Sequence, residues 1–423
     1  MSVDTHTTLT IDTSINRETR FKSEMETFSY PLGVRIANKV LAPYRNKQFD
    51  ADRLIESAIK QCGFNDFGSN FWRTPMKELL KDLNTHTKFH PVGNFLMEKK
   101  IVQNLTNRLW TQYWLNKDNS ILKPLPPIVL ITGLQRTGTT FLQRLLGSLP
   151  EFRGVLSWEI VNPVPTSRKK TYNGKSLAWF GHKALNYINP EFKTIHAVNV
   201  NSLEEEVVLM DHCFMSSIFE ATFNTPDYGL WLEKQDQIPA YQDLKMWLQF
   251  LLWRKPADQN LLLKSPHHME YLDSFSKVFP NTKIIHTHRH PAQTMASYCS
   301  MIHLAKKIFQ PQSNPYEVGQ HWLRKNQRLV ENCRSYKNEN PDQFIDVAYN
   351  DLVMNPLQVV QNIYAELGMT WTADHERTAL DFCKEHRKNR YGKHIYNLND
   401  YGLTEGMIEK SFSVYLDEYR DYL

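Results

Sequence analysis

The chain has few of the features that mark membrane or secreted proteins. No apolar run in its 423 residues approaches the roughly 20 residues that a membrane-spanning helix needs. The N-terminal stretch is polar and rich in threonine, without the hydrophobic centre of a signal peptide. Its five cysteines are widely scattered and lack the close pairs of zinc knuckles or CxxC redox sites. These absences predict a cytoplasmic protein with reduced thiols and no transmembrane segment.

The chain also has little excess of either charge. Its 50 Lys and Arg residues against 45 Asp and Glu residues leave a formal net charge of +5. So small an excess on so long a chain argues against general binding of nucleic acid, although a local anionic ligand fits. Apolar residues make up 41% of the chain and charged residues 22%, proportions that are typical of a folded globular protein.

Patterns along the chain divide it into three regions. Residues 1–25 are polar and aperiodic, which predicts a flexible tail. Residues 26–122 carry apolar side chains at helical spacing, such as Met97 and Ile101, and we expect a helical cap there. In residues 123–423, short apolar runs alternate with helical stretches, the pattern of βαβ units. The predicted strands cover residues 128–132, 261–263, 283–288 and 344–347.

A glycine-rich turn, Gly133 to Thr140, follows the first of these strands and opens a predicted helix. Backbone N–H groups in such a turn can hold a phosphate. The turn matches G-x-x-x-x-G-K-[ST], except that Thr139 replaces the lysine that reaches the terminal phosphates of ATP, and Arg136 is its only cation. The fold class is therefore α/β, a P-loop-like parallel sheet flanked by helices, but an ordinary kinase or NTPase is disfavoured.

Two motifs resemble those of the sulfotransferases that use 3′-phosphoadenosine 5′-phosphosulfate (PAPS). Residues 136–140, Arg-Thr-Gly-Thr-Thr, match the family's phosphosulfate loop, [KR]-[ST]-G-[ST]-[ST]. Arg289, Pro291 and Ser297 match its 3′-phosphate motif, R-x-P-x-x-x-x-x-S. The resemblance extends over residues 45–420 to bacterial members of the family. It implies a PAPS-dependent sulfotransferase, with PAPS as co-substrate and residues 123–423 as the PAPS-binding domain.

The resemblance also implies which residues bind PAPS. Arg289 offers a planar set of donors that suits a phosphate. Arg390 lies in the basic run 387–393, which resembles the loop that closes over the 3′-phosphate and can also be read as a solvated turn. The expected PAPS-binding residues are Arg136, Thr137, Gly138, Thr139, Thr140, Arg289, Ser297, Tyr349 and Arg390.

Sulfuryl transfer to a hydroxyl needs a cation near the departing bisphosphate and usually a base for the acceptor proton. Arg136 and Lys264 are the candidate cations, and Lys264 follows a predicted strand, at the sheet edge where α/β sites form. Glu159 and His196 are the candidate bases. Both stay open here, with Glu159 ranked first because it is closer in sequence to the loop.

Two other polar clusters receive structural interpretations. Ser202 to Glu205 has the pattern of a capping box, so the run Glu204 to Glu206 is expected to begin a helix. His286, His288 and His290 alternate along a predicted strand and can share one face. No carboxylate is interleaved with these histidines and sulfuryl transfer needs no metal, so no metal site is expected.

The acceptor is the least constrained part of the prediction. Aromatic and apolar side chains in the helical region, among them Trp110, Tyr113 and Trp114, favour a small hydrophobic alcohol, phenol or lipid, although such residues more often form core. No nucleic-acid partner is expected, and the sequence makes no prediction of the oligomeric state.

Overall fold

A parallel sheet forms the centre of the molecule. The structure is a computed structural model, and it describes residues 29–169, 174–191, 199–386 and 396–423. All strand pairs of the sheet are parallel, in the order β2-β3-β1-β4-β5. The strands are β1 Ile128–Gly133, β2 Phe152–Gly154, β3 Asn260–Lys264, β4 Lys283–His288 and β5 Phe344–Ala348. The four predicted strands are confirmed, and the three-residue β2 is too short to show a periodic pattern.

In the part of the chain that the structure describes, four α-helices precede the sheet and correspond to the predicted helical region. They are α1 Leu32–Val40, α2 Ala51–Cys62, α3 Arg73–His86 and α4 Pro91–Leu115. The predicted tail, residues 1–25, lies outside the described residues. Among the described residues, no helix combines the length and apolar character needed to cross a bilayer.

The remaining helices connect the strands or follow the last one. Between β1 and β3 lie α5 Thr139–Leu146, α6 Ser157–Val161, α7 Gly174–Ile188, α8 Ile218–Thr222, α9 Pro226–Leu232 and α10 Ile238–Arg254. The later α-helices are α11 Leu272–Val278, α12 Pro291–Lys307, α13 Pro315–Glu339, α14 Tyr349–Met354, α15 Pro356–Glu366, α16 Ala373–Glu385, α17 Glu405–Ser411 and α18 Ser413–Glu418. Short 3₁₀ helices include Glu206–Cys213 and Pro266–Glu270, which flank the site described below.

Both faces of the sheet are buried, as expected for a parallel sheet with helices on each side. Leu130 of β1 faces the core that the N-terminal helices also enter, whereas the next residue, Ile131, faces the core beneath α5 and α15. Trp110 and Trp114 are buried in the first of these cores. They contribute to packing rather than to an acceptor pocket. The proposed boundary at residue 123 stays a prediction.

Candidate active site

The loop between β1 and α5 has the conformation of an anion-binding turn. Gly138 precedes α5 with a φ of 90°, in the left-handed region that glycine adopts most easily. A Cβ atom at this position would meet Leu352 Cδ2 at 2.9 Å. Glycine therefore lets the loop pack closely against α14 while the N-terminus of α5 stays available to an anion.

A cavity of about 560 Å³ opens beside this loop, at the carboxyl edge of the sheet. Most of the predicted PAPS-binding residues line it: Arg136, Gly138, Thr139, Thr140, Arg289, Ser297 and Tyr349. Apolar side chains such as Met301, Leu352 and Val353 form another part of the wall. Ligands in α/β proteins bind at this edge because loops from several strands converge there.

The two phosphate motifs meet inside the cavity. Arg136 Nε donates to Ser297 Oγ at 3.1 Å, and Arg289 Nη1 donates to the main-chain oxygen of Arg136 at 3.0 Å. The Arg289 guanidinium also lies 4.0 Å from the centre of the Tyr349 ring. Burial lowers the pKa of Arg136, the phenol of Tyr396 raises it and the charge of Arg289 lowers it further. Within the described part of the chain no carboxylate pairs with either arginine, so this pair suits an anionic ligand.

The Thr137 hydroxyl is directed into the protein rather than into the cavity. Thr137 is fully buried, and its Oγ1 donates to the Leu134 main-chain oxygen at 2.6 Å. The same hydroxyl lies 2.6 Å from Thr287 Oγ1 on β4. Its side chain therefore fixes the loop to the sheet, and any contact of Thr137 with PAPS must come from its main chain.

A lysine, a glutamate and a loop threonine form a second polar group at the cavity. Lys264, at the end of β3, is 1% exposed. Its Nζ lies 2.7 Å from Glu205 Oε1 and 3.4 Å from Thr140 Oγ1. Glu205 Oε2 accepts from Ser265 Oγ at 3.1 Å. Both Glu205 and Thr140 line the cavity, so a carboxylate and a buried cation stand together beside the phosphate loop.

The neighbouring Glu206 holds this arrangement from behind. Its Oε2 accepts from the main-chain N–H of Lys264 at 2.8 Å, and its Oε1 lies 2.7 Å from His268 Nε2. His268 Nδ1 in turn lies 3.0 Å from the Tyr241 hydroxyl. All of these side chains are buried. Glu206 therefore joins the end of β3 to the 3₁₀ helix 206–213 and fixes the orientation of both segments.

The predicted capping box at Ser202 to Glu205 is wrong. The helix that follows is a 3₁₀ helix that begins at Glu206, and Ser202 Oγ donates to the main-chain oxygen of Asn199 at 2.7 Å. The segment pairs instead with the chain before α6, where the main-chain N–H of Glu204 donates to Val155 O at 2.9 Å. This pairing leaves Glu205 at the cavity, a position that the sequence interpretation missed.

Glu159, the first-ranked candidate base, lies elsewhere. Its Oε1 forms a 2.6 Å ion pair with Arg153 Nη2, and its Oε2 accepts from the Leu156 N–H at 2.9 Å at the start of α6. Glu159 is 2% exposed and is not among the described residues that line the cavity. Its role as base stays a prediction. His196 and Arg390 lie outside the described residues, so their predicted roles also stay predictions.

The histidines of β4 lie next to a carboxylate of the neighbouring strand. Asp346 of β5 is paired in register with His286, and the possible ligand atoms of His286, His288 and Asp346 lie within 4.8 Å of one another. Lys337 Nζ lies 2.7 and 2.6 Å from the two Asp346 carboxylate oxygens. Asp346 therefore already has a cation as partner. That no metal takes part stays a prediction.

Comparison with known proteins identifies the family. A model of the sulfotransferase family matches residues 127–373. The omega-hydroxy-beta-dihydromenaquinone-9 sulfotransferases Stf3 of Mycobacterium bovis and Mycobacterium tuberculosis are each 24% identical to the chain over 324 residues. These matches cover 69% of this chain and 75% of either relative.

Solved structures give the same result for the fold. Sulfotransferase STF1 from Mycobacterium tuberculosis has a TM-score of 0.76 and 26% identity, and the match covers 88% of this chain and 100% of that chain. Sulfotransferase STF9 from Mycobacterium avium has a TM-score of 0.75 at 23% identity, which covers 88% and 98% of the two chains and supports the fold alone. The family match, which spans more than half of the sequence, shows that the chain belongs to the sulfotransferase family.

Proposed function

We propose that the protein transfers the sulfuryl group of PAPS to a hydroxyl group of a hydrophobic, lipid-like acceptor and releases 3′,5′-adenosine bisphosphate. One observation carries the proposal. A single cavity is lined by the phosphosulfate loop, by Arg289 and Ser297 and by Glu205, and the buried Lys264 pairs with Glu205 directly behind its wall. Donor binding, charge stabilisation and proton acceptance can therefore occur side by side.

PAPS binding follows from the two groups of donors. The loop N–H groups and the Thr140 hydroxyl receive the phosphosulfate, as helix N-termini commonly receive anions. Arg289, Ser297 and Arg136 receive the 3′-phosphate, since Arg136 already contacts Ser297. This differs from the sequence-based expectation of Arg136 beside the leaving-group oxygen. Arg390 is proposed from the family resemblance to complete the 3′-phosphate site.

The transfer itself is an in-line displacement at sulfur. The acceptor oxygen forms a bond to sulfur while the bond between sulfur and the phosphate oxygen breaks, and the bonding electron pair leaves with the bisphosphate. Lys264, next to Thr140, stabilises the charge that develops there. Glu205 takes the acceptor proton, because it is the carboxylate that lines the cavity beside Lys264. Glu159 and His196 stay alternatives that mutation can separate.

The class of acceptor is proposed from the relatives and from the cavity. The similar proteins of known activity are named for an omega-hydroxy menaquinone, a hydroxyl on an apolar chain. The cavity wall here combines polar loop residues with Met301, Leu352 and Val353. A hydroxyl at the end of an apolar chain satisfies both observations, whereas a large glycan does not.

Two measurements test the proposal. Calorimetry in EDTA should show tight binding of 3′,5′-adenosine bisphosphate, and ATP should compete poorly because no lysine stands at position 139. Purified protein with labelled PAPS should then sulfate a long-chain aliphatic alcohol faster than a phenol or a sugar of similar reactivity. Equal competition by ATP, or a requirement for magnesium in nucleotide binding, would overturn the assignment of PAPS. Preference for the sugar would overturn the assignment of the acceptor.

A further inference from the structure

Two helices on one side of the molecule expose large apolar side chains. We call this surface the apolar face, and it comprises residues of α1 and α7. Val40 of α1 is 74% exposed and Phe180 of α7 is 64% exposed. The face consists of Leu32, Ile36, Val40, Leu177, Trp179, Phe180, Leu185 and Tyr187, all of them exposed. Isolated exposed apolar residues are ordinary, but a contiguous set of this kind marks an interaction surface.

Helix α7 turns most of its large apolar side chains to the outside. The side that packs on the protein carries Gly174, Ala178 and His182, spaced one turn apart, and near its end the buried Ile188. His182 Nε2 lies 3.0 Å from Ser157 Oγ. A helix that merely covered a core would turn its large apolar residues inward and its histidine outward. Leu177 and Phe180 are therefore not exposed as a by-product of core packing.

The two helices form one continuous surface. The main-chain N–H of Gly33 donates to the Tyr187 hydroxyl at 3.3 Å, and a Cβ at residue 33 would meet that oxygen at 2.7 Å. Val34 and Ile188 pack together with Ile308 in one small core. Both helices therefore share one anchor, and the apolar face is formed by two neighbouring helices.

The charged side chains on the two helices of the apolar face are of one sign. Arg35, Lys39, Lys175 and Lys183 are exposed on the same two helices, and neither helix contains an acidic residue. Lys183 Nζ lies 4.6 Å from the centre of the Trp179 ring. Apolar and aromatic side chains flanked by lysine and arginine are the composition of helices that lie in the interface of an anionic membrane.

Helix α12 connects the apolar face with the donor cavity. Ser297, near its beginning, lines the cavity, and Asn189, just after α7, donates to the Leu304 main-chain oxygen near its end at 2.9 Å. From Ser297 to Lys307 the helix rises about 15 Å. A bilayer against the apolar face would therefore lie within reach of a lipid whose hydroxyl is in the cavity.

We propose that the apolar face docks on the surface of an anionic lipid bilayer, from which the enzyme takes its acceptor. The inference rests on the lipid-like acceptor of the proposed function. The apolar side chains would enter the headgroup region, while the lysines and arginines contact anionic headgroups. A second copy of the chain or the residues before 29 are the competing occupants, and the following experiments separate them from the membrane.

Vesicle sedimentation of the full chain is the first test. The protein should bind phosphatidylglycerol-containing vesicles, bind pure phosphatidylcholine vesicles weakly, and be released by salt. The triple variant L177S/W179S/F180S should lose about tenfold or more of that binding because its apolar anchor is gone. The matched control V414S removes an apolar side chain that is 58% exposed on α18 and should bind as the parent does. Thermal unfolding of the triple variant should be unchanged, since these side chains face outward.

Activity separates failure of this inference from failure of the proposed function. The triple variant should sulfate a short water-soluble alcohol at the parent rate but lose activity on a long-chain alcohol embedded in vesicles. If neither protein sulfates either alcohol, the proposed function fails. If the parent sulfates both but sediments no better than the triple variant, membrane docking is wrong. A parent dimer that the triple variant converts to monomer in ultracentrifugation would assign the face to a second copy. The parent and the triple variant could also bind vesicles equally. If deletion of residues 1–28 then raised vesicle binding of the parent but not of the triple variant, that segment would be the occupant of the apolar face.

Discussion

The charged side chains around the sheet form two kinds of cluster, one open and one closed. The open cluster consists of Arg136, Arg289 and Glu205, which line the cavity, and Lys264 pairs with Glu205 from the protein side. The closed clusters are the pair of Arg153 with Glu159 and the group of His288, Lys337 and Asp346. The Glu205 side chain is 26% exposed, whereas that of Glu159 is 2% exposed. Both kinds contain cations and carboxylates, so composition alone does not separate them.

The two kinds of cluster differ in whether a ligand can replace the present partners of their charged side chains. Arg136 and Arg289 contact a hydroxyl, a carbonyl and an aromatic ring, neutral partners that a phosphate can replace. Asp346, in contrast, already has His288 and Lys337 as partners. The two arginines of the open cluster therefore have unused capacity for a charged ligand, while the charges of a closed cluster are already paired within the protein. Mutations in the open cluster should change catalysis or nucleotide binding, whereas mutations in a closed cluster should change the unfolding free energy.

The largest effect is expected for Glu205→Gln. Glutamine keeps the size of the side chain but accepts no proton, so kcat on an aliphatic alcohol should fall about 10²- to 10⁴-fold, the usual contribution of a positioned base. Affinity for 3′,5′-adenosine bisphosphate should change little. Single-turnover rates with labelled PAPS measure the effect. His196→Asn, in parallel, tests the alternative base.

The outcome that contradicts this assignment is specific. If His196→Asn or Glu159→Gln lowers the single-turnover rate by that factor while Glu205→Gln leaves it near the parent value, the base is not Glu205. The open cluster would then bind the donor without accepting the proton. An aliphatic alcohol is the right acceptor for this comparison, because a phenol of low pKa needs less help from a base.

The second prediction concerns the closed pair of Arg153 and Glu159. Glu159→Gln leaves the Arg153 charge, with a side chain only 10% exposed, without its carboxylate. Removing one partner of a buried ion pair costs about 3–5 kcal/mol of unfolding free energy. Urea unfolding measures it, and kcat of the folded protein should stay near the parent value. Asp374→Asn, in a pair with Arg377 whose side chains are 72% and 79% exposed, is the matched control and should be nearly neutral.

The third prediction returns to the open cluster. Arg289→Ala should weaken binding of 3′,5′-adenosine bisphosphate by about 1.5–3 kcal/mol, the range for hydrogen bonds to charged groups. Adenosine 5′-phosphosulfate has no 3′-phosphate, so its affinity should hardly change. Calorimetry with both nucleotides makes the comparison within one variant. Equal losses would place Arg289 at another part of the nucleotide.

Most of the fold was accessible from the sequence because its signals are local. The strand 128–132, the turn 133–140 and the helix after it are contiguous, and each depends on composition or on a glycine with positive φ. The two motifs met as expected because both follow strands that end at the same sheet edge. Strand β2, with three residues, had no such signal.

Contacts between segments that are far apart in the sequence could not be predicted from it. Glu205 is 59 residues from its partner Lys264, and the pairing of residues 203–204 with 155–156 and the bond from the Lys264 N–H to Glu206 bring the two together. Asp346 faces the histidines of β4 through strand register, which single-sequence patterns do not specify. Glu159 shows the converse: it is close to the loop in sequence, but its carboxylate contacts Arg153 and the Leu156 N–H, and its predicted role as base stays a prediction.

The smallest expected effect tests the closed cluster on β4 and β5 by pH. Burial raises the pKa of Asp346, but hydrogen bonds from His288 and Lys337 outweigh burial and lower it from 3.8 to about 2. A carboxylate whose pKa is lower in the folded state stabilises the fold above its unfolded pKa and loses that contribution as pH falls. The unfolding free energies of parent and Asp346→Asn should therefore differ by a constant amount from pH 7 to about 4.5 and converge as pH falls from about 4 towards 2. Urea unfolding across this range measures the difference, and Asp273→Asn, in an exposed pair with Lys277, should show almost none. A difference that grows as the pH falls would mean that protonated Asp346 is the stabilising form, and the cluster would then not be a closed ion pair.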